Sequence, residues 1–517
     1  MMNRLSMAGG LALLYASAYY LFFLNPSSLY FVPSFFRYIV FPSLVTVLIL
    51  TPIFFLVSGT LLNPTLKRSL IFFGSGFLTI VAIKSIFDAA NYPWVKIFPL
   101  VMGSDIEFSD SFRFVKYFSA SALYFAIFGF LFIFRKNLKK WVHWLSVLGY
   151  AFVFLAIYRC IAFDLIFEPA KAPVSDNSYN VSPEVARRVV WVIFDEMDYG
   201  LSLGQDSGLS TAMPNFSALA EHAVTASHAF SPGRDTTYSI PALLTGTPLS
   251  GVSIDFQNKL DLIDQRQEKV RFATETAIFG KLPGGAQSAT VLGFYHPYCK
   301  IFQTLQKCNS TYMGNAGRWF DSLTFFSTTL ISVLRNIKWA AQLAPEFVLY
   351  NFDLMYRISK DILSQLDKTI ANQHSSLDFI HVNMPHLPNI YAQRLLNQSV
   401  TNDRDAYRQN LSGADMVLGN IVKDLKKITP KQDILLIVSS DHWLRTHSKE
   451  PAPIPFIIWR VGENAPISLP GRISTVHSKQ IALDFLSGNL NTQLELADAL
   501  RRTNYYETWS APDGYKY

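Results

Sequence analysis

The pattern of apolar and polar positions divides the chain into two textures. The first 163 residues carry long apolar runs separated by short polar connections. Five runs approach the roughly 20 apolar residues that cross a hydrocarbon core of about 30 Å. They cover residues 7–24, 38–59, 69–89, 114–134 and 141–163. The connections alternate in charge. Arg4, then Lys67 and Arg68, then Arg135, Lys136, Lys139 and Lys140 mark one side, while 26–36 is poor in Lys/Arg and 91–113 carries Asp105, Glu107 and Asp110. Basic connections stay on the cytoplasmic side. The pattern therefore predicts an N-terminus inside and, after five crossings, everything beyond about residue 164 outside.

Residues 168–188, EPAKAPVSDNSYNVSPEVARR, are rich in Pro, Ser and Asn and read as a linker. After them, short β-rich apolar runs alternate with helical periodicity. Strands are predicted at 189–194, 289–294, 377–383, 433–439 and 455–459. A helix is predicted over 404–426, where Tyr407, Leu411, Ala414, Leu418, Ile421 and Leu425 recur at spacings of three and four. Alternating strands and helices predict an α/β domain with a mostly parallel central sheet covered by helices. The expected organisation is a transmembrane helical domain (1–163), a linker (164–188) and an extracytoplasmic domain (189–517).

Composition supports this division. Half of the 517 residues are hydrophobic and 16% are charged, against about 25% in soluble proteins. The net charge of +7 resides largely in the basic connections, so it gives no signal for nucleic acid. Of three cysteines, Cys160 lies in the last apolar run. Cys299 and Cys308 lie close together in the external part, where a small disulfide suits an oxidising compartment.

In parallel sheets ligands collect beyond the C-terminal strand ends. The run 189–194 leads into Asp195 and Glu196, 433–439 into Asp441 and His442, and 377–383 into His386. Carboxylate with imidazole and no sulfur suits Zn²⁺ or Mn²⁺. The segment 231–246, SPGRDTTYSIPALLTG, reads as a helix start. There the helix dipole and exposed amides favour an anion, and a metal activates a nearby hydroxyl. Spacing alone leaves Thr236, Thr237 and Ser239 open as the nucleophile.

Five ordered motifs, VVWVIFDE (189–196), MPNFSALAEHAV (213–224), TTYSIPALLTG (236–246), PHLP (385–388) and VSSDHW (438–443), resemble the sulfatase-like branch of the alkaline phosphatase superfamily. With the apolar N-terminal third, the layout looks like the membrane-anchored phosphoethanolamine transferases and, more distantly, the lipoteichoic acid synthases. The resemblance implies Thr236 as nucleophile, Asp195, Thr236, Asp441 and His442 around a divalent metal (Zn²⁺ first, Mn²⁺ second), and His386 at substrate or leaving group. In the sulfatase C/S-x-P-x-R motif, the Pro and Arg positions are occupied here by Tyr238 and Ile240. Glu196 and His447 remain further metal or substrate candidates, because Asp195 stands where the lipid A enzymes have Glu and His447 comes sooner than the family's later histidine. Trp443 replaces the usual Gly. His296, His381 and His477 are taken as structural. The implied function is transfer of phosphoethanolamine or phosphoglycerol from a bilayer phospholipid to an envelope glycan or glycolipid, at the outer side of a bacterial inner membrane. The alternatives are a phosphate- or sulfate-ester hydrolase and a catalytically degenerate glycan-binding or scaffold protein.

Overall fold

The computed structural model describes residues 2–23, 135–166, 186–204, 213–254, 259–311, 345–386, 403–429, 431–445 and 450–503, with a few shorter stretches. Two long helices are described in the apolar third, α1 (Met2–Phe23) and α2 (Leu138–Ile166). They lie backbone to backbone. A Cβ on Gly149 would collide with the Gly10 carbonyl oxygen, and the Tyr150 hydroxyl donates to the Ser6 carbonyl at 2.7 Å. They coincide with the first and last predicted spans. Among the described residues, no helix is long and apolar enough to cross a membrane. The runs 38–59, 69–89 and 114–134 are described only in fragments, and the loop 91–113 lies outside the described residues. The expected five-helix bundle is therefore not established.

The α/β domain is built on one sheet. Its strands are β1 (Arg187–Asp195), β2 (Val224–Ala226), β3 (Ala289–Phe294), β4 (Lys307–Thr311), β5 (Leu377–Pro385), β6 (Asp433–Ser440), β7 (Phe456–Arg460) and β8 (Ile467–Leu469). Their order is β8-β2-β7-β6-β1-β5-β3-β4. Every pairing is parallel except those of β7. The central strands are β-branched and aromatic, as a sheet buried on both faces requires. Alternation sends Val189, Trp191 and Ile193 of β1 to one core and Val190, Val192 and Phe194 to the other.

The helices close both faces. On the first face lie α3 (Thr236–Thr245), contributing Ile240, Leu243 and Leu244, and α6 (Ser478–Leu486), contributing Ile481 and Phe485. On the second lie α4 (Pro345–Ile370), burying Ile358, Ile362, Leu366 and Ile370, and α5 (Asp403–Ile428). The six apolar positions predicted to share one face of α5 are all buried there.

β1 begins two residues earlier than its apolar pattern indicates, so Arg188 belongs to the sheet and not to the linker. It is fully buried. It pairs with the Asp378 carboxylate and donates to the carbonyls of Ile370 (2.8 Å) and Thr369 (3.0 Å). An arginine so matched satisfies its desolvated charge at the strand start.

Candidate active site

Register brings the functional side chains together. β1 lies between β6 and β5, with Phe194 opposite Ser440 and Ile193 opposite His381. Asp195, Asp441 and His381 consequently fall on adjacent strands and on the face covered by α3. Asp235 caps α3, and its carboxylate accepts from the amides of Thr237 and Tyr238. Those amides are therefore satisfied within the protein and are not left for an anion, contrary to the sequence expectation. Thr236 takes the first helical position, and its hydroxyl lies beside Asp441 and His442. Its Oγ1 donates to Asp441 Oδ2 at 2.7 Å and stands 3.5 Å from His442 Nε2. Thr237 instead pairs with the Tyr295 hydroxyl at 2.7 Å.

The two aspartates are held differently. Asp441 Oδ1 accepts from the amides of Glu196 (3.0 Å) and His442 (2.8 Å), while Oδ2 takes the Thr236 hydroxyl. Burial raises its carboxyl, but the rings of His442 and His381 with these donors outweigh burial and hold it below the ordinary range. Asp195 Oδ1 has no hydrogen-bond partner among the described residues and lies 3.5 Å from His442 Nε2. Burial, then the charges of Asp441 and Glu196, push its carboxyl well above the ordinary range. The pair thus keeps its charge on Asp441 and its proton on Asp195 when no cation is there to replace that proton.

That arrangement fits a cation. Ligand atoms of Asp195, His381 and Asp441 all lie within 4.8 Å of one another, and all three residues are buried. His381 Nε2, like Asp195 Oδ1, is buried without a hydrogen-bond partner among the described residues. His442 Nδ1 lies 3.0 Å from the Trp443 carbonyl. A carbonyl only accepts, so Nδ1 donates to it, and Nε2 is the ring nitrogen turned toward the carboxylates. The set is oxygen and nitrogen, as Zn²⁺ or Mn²⁺ prefers.

His381, taken from the sequence as structural, thus joins the cluster. All nine residues of β5 are buried, so apolar alternation along the strand gives no signal for it. The usable signal is register, since His381 lies opposite Ile193, two positions before Asp195 on the same face. Its Nδ1 lies 3.0 Å from the buried Tyr298 hydroxyl, and burial lowers its pKa to about 4. His296 also supports the site. Its Nε2 reaches the Thr236 carbonyl at 3.0 Å, and burial lowers it to about 3, leaving a neutral donor. Cys299 and Cys308 are disulfide-bonded beside Tyr298.

Glu196 and His386 form a separate layer. His386 Nε2 is 3.3 Å from Glu196 Oε2, and Arg445 Nε is 3.2 Å from Glu196 Oε1. Glu196 is thus engaged by two basic side chains. His447 is exposed on the turn after β6 and is not among the gathered ligand atoms.

The sulfatase family model matches residues 187–492. No curated protein matches the chain. Among solved structures, the chain is similar to a protein in the alkaline phosphatase superfamily from Vibrio parahaemolyticus (13% identity, TM-score 0.38, covering 63% of this chain and 74% of that one). It is also similar to the lipoteichoic acid synthase LtaP from Listeria monocytogenes (12% identity, TM-score 0.37, 63% and 77%). A third similar structure is the phosphonate monoester hydrolase of Agrobacterium radiobacter (13% identity, TM-score 0.36, 58% and 74%).

Proposed function

The chain belongs to the sulfatase family, and from that premise we propose that it is a metal-dependent phosphotransferase acting through Thr236. It moves a phospholipid head group, phosphoethanolamine or phosphoglycerol, onto an envelope glycan or glycolipid. The observation that carries this reading is the threonine hydroxyl at the ligand cluster, 2.7 Å from Asp441 Oδ2. Oxidation of a Cys or Ser Cβ gives the aldehyde that sulfatases use. The methyl on the Thr236 Cβ blocks that product, so the hydroxyl itself is the nucleophile.

Asp195, His381, Asp441 and His442 are the residues that would hold the metal, beside Thr236. A divalent metal, when bound, supplies a lowered hydroxyl pKa and offsets charge on the phosphoryl oxygens. Thr236 Oγ1 attacks phosphorus as the bond to the diacylglycerol oxygen breaks. The Thr236 proton leaves along its hydrogen bond to Asp441, and His386, held by Glu196, gives a proton to the departing oxygen. In the second half the acceptor hydroxyl attacks the phosphothreonine. His386 then takes the acceptor's proton, and Thr236 regains its own.

The bilayer location and the outward-facing domain rest on the apolar runs and alternating basic connections of residues 1–163. An anchored domain keeps a lipid donor at high effective concentration. The second reading is hydrolysis, with water as the acceptor. It is favoured by the His386 side chain, which is 28% exposed.

Peptide mass spectrometry of the protein from its own membranes tests the proposal. A head-group-phosphate adduct on Thr236, absent in Thr236→Ala, is the expected result, and its mass names the donor. Unmodified, metal-loaded protein that releases phosphate from a diester supports hydrolysis. Unmodified protein without metal or turnover points to the degenerate class.

A further inference from the structure

Arg445 lies three residues beyond His442, on the turn that follows β6. Trp443, which stands where the resemblance leads one to expect Gly, anchors that turn. It is 1% exposed, and its Nε1 donates to the Ser448 carbonyl at 2.9 Å. Arg445 Nε donates to Glu196 Oε1 at 3.2 Å. The Glu196 side chain is 6% exposed and that of Arg445 is 34% exposed, so the guanidinium bridges a buried carboxylate and the open side of the site.

Glu196 has little freedom to move. Its φ is +63°, a left-handed conformation that a non-glycine residue keeps only when its surroundings enforce it. Here they do. Its amide donates to Asp441 Oδ1 at 3.0 Å, and its carbonyl accepts from the Tyr407 hydroxyl at 2.8 Å. The other oxygen of Asp441 takes the Thr236 hydroxyl. Direct contacts therefore run from Thr236 through Asp441 and Glu196 to Arg445 and His386.

A phosphodiester is an anion, and it must enter a cluster that already holds the carboxylates of Asp195, Glu196 and Asp441. A site of this kind needs fixed positive charge beside the nucleophile. The position where the sulfatase motif has its arginine is Ile240, fully buried in the core, so the charge has to come from another element. With Nε engaged by Glu196, the terminal nitrogens of Arg445 form a planar fork suited to two oxygens of a tetrahedral oxyanion.

We infer that Arg445, aimed by Glu196 and paired with His386, forms the subsite that holds the non-bridging oxygens of the phosphoryl group attacked by Thr236. Glu196 is then a positioning residue and not a metal ligand. The choice of phosphate as the oxyanion rests on the proposed function.

The test is direct binding of inorganic phosphate and of inorganic sulfate to the metal-loaded full-length protein, by calorimetry, with metal content measured on each sample. Arg445→Gln weakens phosphate binding about tenfold to a hundredfold with metal content unchanged. Arg445→Lys restores only part, because a point charge lacks the fork. Glu196→Gln weakens phosphate to a similar degree, and adding Arg445→Gln to it changes little. Unaltered phosphate affinity in a folded Arg445→Gln protein overturns the inference. So does loss of metal from Glu196→Gln, or a wild-type protein that binds neither anion. The two readings fail separately. Phosphate held through Arg445 by a protein that never forms an adduct on Thr236 refutes the transferase and leaves the subsite. An adduct on Thr236 in a protein whose phosphate affinity ignores Arg445 does the reverse.

Discussion

Replacing Asp195 with Asn should stabilise the metal-free protein and abolish its response to metal. In the folded chain burial, then Asp441 and Glu196, raise the Asp195 carboxyl well above its ordinary value, so the folded state binds that proton more tightly than the unfolded state. The sign follows from linkage. The contribution is fully present below the unfolded value of 3.8 and is lost as pH rises through the raised folded value. Without metal, the chain buries a carboxyl group whose Oδ1 has no hydrogen-bond partner among the described residues. An unsatisfied buried polar group costs about 1–3 kcal/mol. At about 2 °C per kcal/mol for a domain of this size, Asp195→Asn should melt about 2–6 °C higher than wild type in chelator at pH 7.5. Metal at a hundred times its Kd should raise wild type by about 2.7 kcal/mol, or about 5 °C, and the variant by little. Melting curves of the full chain at pH 7.5 and pH 5, with chelator and with Zn²⁺, read all these quantities. The apo advantage of the variant should shrink as pH falls through the raised folded value. An Asn variant that melts no higher without metal, or that keeps the full metal response, refutes the reasoning.

Two further variants separate support from chemistry. Tyr298→Phe keeps the buried ring but removes the hydroxyl 3.0 Å from His381 Nδ1. Metal affinity should fall about tenfold, as for other residues that orient ligands, with the melting temperature of the apo protein little changed. A chelator competition showing wild-type affinity would remove Tyr298 from the site. Arg188→Met leaves Asp378 buried without its partner and should cost about 3–5 kcal/mol in urea unfolding, whereas Arg188→Met with Asp378→Leu should recover most of it. A single variant as stable as wild type would show the pair to be unimportant.

The sequence reading succeeded where a property is local and periodic. The strand cores, the buried face of α5 and the carboxylates at the ends of β1 and β6 follow from alternation, from spacing and from the rule about strand ends. It failed where a property depends on what packs from elsewhere. Arg188 looks like the end of a polar linker because its partners, Asp378 and the carbonyls of Thr369 and Ile370, lie about 180 residues away. The amides at the start of α3 look available for an anion until Asp235 is seen to cap them. Arg445 carries no local signal, since a basic residue on a polar turn is ordinarily solvated. The apolar third remains legible mainly as sequence, because three of its five runs are described only in fragments.

Asp195 and Glu196 are adjacent carboxylates, and either looked able to ligate a metal. Strand geometry separates them. Odd-numbered residues of β1 face the core under α3, and Asp195 continues that parity to the face where Thr236, His381 and Asp441 converge. β1 ends there, with a register shift against β5 between Phe194 and Asp195. The next residue turns away in the left-handed conformation. Its carboxylate therefore meets His386 and Arg445 instead of the ligand atoms. A strand one residue longer would carry Glu196 to the opposite face of the sheet, into the apolar core of Val192 and Phe194. The division of labour between the two acids is thus set by where the strand stops. That makes the backbone at Glu196, pinned by Asp441 and Tyr407, as much a part of the proposed mechanism as the side chains themselves.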